Sequence, residues 1–164
     1  MSQRGVELPG GAGGVPGYTA TGAYVWDGDV QNIASATWTE WTADEEAYDF
    51  GGLHVSPGTA KFTIPAGRAV AAPGTPYLFM AMFSFQASVT GVRGVRIKYN
   101  GSVYAMQRGL PGDAALVVSV ICSTIINVVV TDVITAECWQ NSGLGLNSDT
   151  AEVGNYFSCQ RLQE

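Results

Sequence analysis

Tyr77-Leu78-Phe79-Met80-Ala81-Met82-Phe83-Ser84-Phe85-Gln86 decides how this chain is read. Its odd positions carry Tyr, Phe, Ala, Phe and Phe, one side of a strand facing a core. The even positions begin with Leu78, Met80 and Met82, so the opposite side is apolar too. An antiparallel strand with a solvated side alternates apolar with polar residues. Two apolar sides therefore predict that Leu78, Met80 and Met82 meet another subunit.

The same β character extends in both directions. Ala36 to Thr42 mixes aromatic and β-branched residues, and Asp44-Glu45-Glu46 reads as an acidic turn after it. Thr59 to Ile64 is a short strand ended by Pro65-Ala66-Gly67. Beyond the central stretch, Val92 to Tyr99 alternates into Asn100-Gly101, the strongest short hairpin signal, because both central residues of a type I′ turn need positive φ. Ser102 to Gln107 is the return strand. Leu116 to Ile121 and Ile125 to Val130 read as two strands, Val133 to Gln140 as another, and Asn155 to Leu162 as the last. The expectation is an all-β, antiparallel sandwich or jelly roll of eight to ten strands, with no convincing helix.

Residues 1–32 read as an irregular, Gly/Pro-rich amino-terminal arm for attachment, and 33–164 as the head. Within the arm, Pro9-Gly10-Gly11-Ala12-Gly13-Gly14-Val15-Pro16-Gly17 places glycine at 11, 14 and 17, the period of a collagen helix. Only three triplets fit before Ala20 breaks the register, which is too few for a triple helix. The glycines serve flexibility and tight turns, and Tyr18, Tyr24 and Trp26 are the apolar handles by which the arm would anchor.

Composition narrows the function. The 164 residues are 46% apolar and 13% charged, with a net charge of −6. Soluble domains carry about a quarter charged residues, so part of this surface is expected to lie against other subunits. The acidic balance leaves no basic footprint for nucleic acid. No signal peptide is visible, and Ala114 to Val130 is interrupted by Ser119, Ser123, Thr124 and Asn127, so neither secretion nor a membrane partner is expected. Cys122, Cys138 and Cys159 are an odd set without CxxC spacing, which favours buried free thiols over disulfides or zinc.

Lys61-Phe62-Thr63-Ile64-Pro65-Ala66-Gly67 followed by the aromatic strand at 77–85 resembles the core motif of complement globular heads, which belong with the tumour necrosis factor superfamily of trimeric jelly rolls. Asn100-Gly101, Asp132-Val133-Ile134, Trp139-Gln140-Asn141-Ser142-Gly143 and the ending Tyr156 to Leu162 are similar to further motifs of that family, in the same order. Thr131 departs from the glycine usual before the aspartate, and residues 69–76 are an insertion. The resemblance implies a homotrimer. Heads of this kind with a glycine-rich arm and no secretory signal resemble virion proteins of tailed bacteriophages: fibre tips, minor tail proteins or capsid decoration. That implies localisation in the virion, with capsid or tail proteins as partners of the arm.

Enzymatic chemistry is not expected. His54 stands alone, without a serine motif, and the cysteines lie in apolar strands where thiols are inert. Asp44, Glu45, Glu46 and Asp49 offer charge but no calcium-loop spacing, and no cofactor or metal site is read. Arg93, Arg108 and Asn141 lie in loops that could touch a host-surface glycan or protein. A cement protein without a ligand, and a cellular lectin-like or adhesion head, are the alternatives.

Overall fold

The computed structural model describes residues 21–55, 58–70, 73–112, 116–148 and 154–162. Its strands are, in chain order, β1 (Gly22–Trp26), β2 (Asn32–Ile33), β3 (Thr39–Glu40), β4 (Thr42–Ala43), β5 (Glu45–Phe50), β6 (Gly58–Thr59), β7 (Lys61–Thr63), β8 (Thr75–Phe85), β9 (Arg93–Tyr99), β10 (Ser102–Gly109), β11 (Val118–Val128), β12 (Val133–Gln140), β13 (Leu146–Asn147) and β14 (Asn155–Arg161). Two five-stranded antiparallel sheets form the sandwich. The first runs β11-β8-β14-β1-β5, and the second runs β10-β9-β12-β3 with β7 also paired to β12. Among the described residues nine strands are three residues or longer, and none of these residues is helical.

The central stretch lies in β8, where Tyr77, Phe79, Ala81, Phe83 and Phe85 are all fully buried. Between the sheets Phe62 stacks on Phe157 at 4.5 Å and Trp41 meets Phe83 at 5.1 Å. Ile97 and Ile134 complete the second sheet's contribution to the same core. Full burial of one such ring contributes roughly 1.5–3 kcal/mol relative to exposure. The Asn100-Gly101 turn has φ of 49° and 82°, as a type I′ turn requires, and it joins β9 to β10.

Four sequence expectations change. The sheet begins at Gly22: β1, placed in the arm by composition, lies between β14 and β5. Its partners come from the far end of the chain and from an acidic segment, so no local period marks it. Residues 1–20, Tyr18 among them, lie outside the described residues. The acidic turn is in fact the edge strand β5, with Glu45 and Glu46 exposed along it. The two strands read at 116–121 and 125–130 are one, β11, which pairs without interruption from Val118↔Phe85 to Val128↔Thr75. Ser123 and Thr124, read as a break, fit because Ser123 points outward and a β-branched Thr suits a pleated strand. Finally, Arg93 is a buried residue, treated below.

The connections sort to two ends. β8 starts beside the finish of β14, with Tyr77↔Arg161, and ends near Asn155 and Val118. The chain enters β1 at the first end, where the Arg161 amide donates to the Thr21 carbonyl at 2.9 Å. Residues 86–92, those following Gly109, and those following Gln140 gather at the opposite end.

Candidate functional site

The outward side of the first sheet carries apolar side chains on each of its five strands, with Ser123, Ser158 and Gln160 among them. Leu78, Met80 and Met82 of β8 are half-buried there. On one flank they pair with Ile125, Ser123 and Ile121 of β11, and Ile121 and Ile125 are about half exposed. On the other flank lie Gln160, Ser158 and Tyr156 of β14. Tyr156 stacks on Tyr24 at 5.2 Å, Tyr24 lies 6.3 Å from Tyr48, and Tyr48 stacks on Phe50 at 5.3 Å. The Tyr156 hydroxyl donates to Met80 Sδ at 3.1 Å, tying the aromatic row to the central strand. Trp26 sits in the same strand as Tyr24, opposite Tyr156. Tyr24 and Trp26 therefore stand on this sheet face, in the rows of Met80 and Met82 with β14 between them, and not on a free arm. Five strands at about 4.8 Å spacing make the face roughly 20 Å wide.

A second apolar surface lies on the outer edge of the other sheet. β10 is its terminal strand and exposes Val103, Tyr104 and Met106, each about half accessible. β10 and β11 adjoin where the sheets meet, so this edge borders the outer end of the first face.

At the loop end, Arg93 is fully buried and presents no side chain to a ligand. Its guanidinium donates to the Thr90 carbonyl at 2.9 Å and the Ser88 carbonyl at 3.4 Å, and it lies over the Phe85 ring. It works as a staple for the 86–92 loop. Asn141 is exposed, yet its Oδ1 accepts the Val92 amide at 2.5 Å, so it also ties two loops together. Ser88, Thr90, Ser142, Leu144 and Gly145 line a cavity of about 400 Å³ beside them. Arg108 is exposed near the end of β10, with its guanidinium 5.5 Å from the Trp139 ring centre.

The groups with catalytic potential are held in structural contacts. His54 is buried, with Nδ1 3.2 Å from Glu46 Oε2 and Nε2 3.3 Å from the Thr59 carbonyl. Asp49 accepts the amides of Leu53 and His54, and Asp44 accepts that of Gly28. The acids therefore do not converge, and among the described residues no group of three or more His, Cys, Asp or Glu is placed to hold a metal ion. All three cysteines are free and buried. Burial pushes the Cys159 thiol up to about 12 and Cys138 well above the ordinary range, so both stay protonated.

No protein-family model and no curated protein sequence matches the chain. Solved structures do. Murine APRIL matches with a TM-score of 0.61 at 12% identity, over 87% of this chain and 99% of that one. The globular domain of the zebrafish complement 1qA protein gives 0.58 at 14% identity, over 88% and 98%. PRD1 vertex protein P5 gives 0.59 at 17% identity, over 88% and 98%. At these identities the likeness is one of fold. The chain has the jelly roll of the tumour necrosis factor and complement heads, a fold that also occurs in a vertex protein.

Proposed function

We propose that this chain is a non-enzymatic virion protein that assembles as a homotrimer, is attached through its amino-terminal arm, and turns its loop end outward towards the host surface. The observation that carries the reading is the apolar outer face of the first sheet. Soluble monomers rarely leave a contiguous apolar patch of several hundred Å² in water. A rotationally symmetric ring of three needs a heterologous contact, in which two different patches on one protomer are complementary. The sheet face with Met80, Met82, Tyr24 and Tyr156, and the edge with Val103, Tyr104 and Met106, supply two such patches on adjoining sides. Leu78, Met80 and Met82 are the centre of this contact.

The virion assignment is supported by the fold shared with a vertex protein and by the polarity of the sandwich. The chain enters at one end and three loop groups gather at the other, so attachment and exposure are separated along one axis. Antibody to the chain, applied to purified particles from the source and to envelope and medium fractions, tests the assignment. The expected result is a chain that sediments with particles. A chain found only in the envelope or the medium contradicts it and favours an adhesion head. The arm is tested by deleting residues 2–20, which spares β1; loss from the particles with trimer mass retained is expected, and full-length incorporation contradicts its anchoring role.

A further inference from the structure

The outward side of the second sheet carries a different surface. Trp139 of β12 and Arg108 of β10 flank Gly94 of β9 in one cross-strand row. A Cβ on Gly94 would lie 3.1 Å from Trp38 Cη2 and 3.7 Å from Trp139 Cε3, so glycine lets the indoles lie flat on the sheet. The two rings stack at 5.9 Å with 25° between their planes. The Arg96 guanidinium sits 4.2 Å over Trp38, and that of Arg108 lies further off, 5.5 Å from the Trp139 ring centre. In the next row Glu137 accepts Arg96 Nε at 2.6 Å and Lys98 Nζ at 2.9 Å. One carboxylate thus serves two cations, while Arg108 has no carboxylate partner among the described residues. Lys61, opposite Thr135, extends the same face.

This sheet face holds Lys61, Arg96, Lys98 and Arg108, four of the chain's eight Lys and Arg residues, with Glu40 and Glu137 as its acids. An acidic chain has gathered half of its positive residues around a pair of half-buried indoles. We propose that this face binds an acidic polysaccharide, with the Trp139 indole as the floor under a sugar ring and Arg108 as the ligand of its carboxylate. The C–H side of a pyranose is apolar and packs against an indole, and an arginine fork matches a carboxylate in two parallel hydrogen bonds. A nucleic acid is less suited, since its affinity comes from many neutralised phosphates and Glu137 already occupies two of the cations. The site goes beyond the trimer reading: it is centred on β9 and β12, and Arg108 lies on β10, the strand whose edge that reading also uses.

The test is titration of the full chain with oligogalacturonate, followed by calorimetry and tryptophan fluorescence, with light scattering on the same samples. Neutral dextran, polyglutamate and single-stranded oligodeoxynucleotide are the comparison ligands. Oligogalacturonate is expected to bind, with weaker binding as salt rises, and with affinity lowered about tenfold or more in Arg108→Ala and in Trp139→Ala. Arg108 is exposed, so Arg108→Glu provides a variant whose fold is safe. Undiminished binding by Arg108→Glu, no binding by the parent chain, or equal binding of polyglutamate or oligodeoxynucleotide would overturn the proposal. Loss of binding with trimer mass retained in Arg108→Glu supports it, and a monomeric parent that still binds would overturn only the assembly reading.

Discussion

At Asp132, three donors converge on one buried carboxylate. Tyr99 Oη donates to Oδ2 at 2.7 Å, Asn100 Nδ2 to Oδ1 at 2.8 Å and the Val129 amide to Oδ2 at 2.7 Å. Burial pushes this carboxyl up, but the hydrogen bonds from Asn100, Val129 and Tyr99 together outweigh it and hold it below the ordinary range. Its folded value lies below the unfolded one of about 3.9, so the stabilisation is present above that pH and lost as pH falls through the folded value. Denaturant midpoints measured from pH 6 to pH 2 are expected to fall more steeply for the parent chain than for Asp132→Asn; parallel profiles would contradict this. Asp27 acts in the opposite sense. Burial holds its carboxyl up despite hydrogen bonds from Asp29 and Thr42, so its contribution grows on acidification.

The neighbouring Thr131 has φ of 75°, a left-handed conformation that costs a β-branched residue about 1–2 kcal/mol. Its amide donates to the Ile64 carbonyl at 2.8 Å, which holds the turn in place. Thr131→Gly removes the strain and adds unfolded-chain entropy of roughly 0.5–1 kcal/mol. A net gain of up to about 1 kcal/mol is expected in a denaturant titration, and a loss would show that the threonine side chain stabilises the turn in another way.

At the level of the strand, β8 assigns its two sides different tasks. Phe79→Ala on the inner side is expected to cost about 3–5 kcal/mol, because it opens a cavity among Phe62, Tyr77 and Phe157. Met80→Lys on the outer side is expected to leave the circular dichroism spectrum intact and to dissociate the assembly. An aggregated or unfolded Met80→Lys protein would mean that the outer side also serves folding. β8 was legible because eleven residues give the period-two pattern room to repeat, and the β9–β10 hairpin because Asn100-Gly101 is a local chemical signal. β1 and β5 were not legible. Five residues of β1 gain their strand character from β14 and β5, and the acidic start of β5 is tolerable only because it lies on an open edge. The Trp38–Trp139 pair joins residues about a hundred positions apart; its one sequence mark is Gly94, a glycine inside a strand, which signals a close approach.

For the whole molecule, the fold divides three surfaces. The first sheet presents an aromatic and methionine face, the second a Trp–Arg face, and one end gathers loops stapled by Arg93 and Asn141. The apolar outer side of the first sheet was readable in Leu78, Met80 and Met82 alone, although its Tyr24–Tyr156 half depends on pairing between chain ends. The loop residues fared differently: the sequence shows where a loop falls, but only packing shows that Arg93 turns inward. Burial of the sheet face against a neighbour's β10 edge would remove from water the apolar surface that a chain with 13% charged residues leaves uncovered.

Trimer formation is the central claim of the proposed function, and light scattering of the purified full-length chain at micromolar concentration measures it directly. A mass of three chains, reduced to one in Met80→Lys, is the predicted result. A parent protein that runs as a monomer would contradict the account.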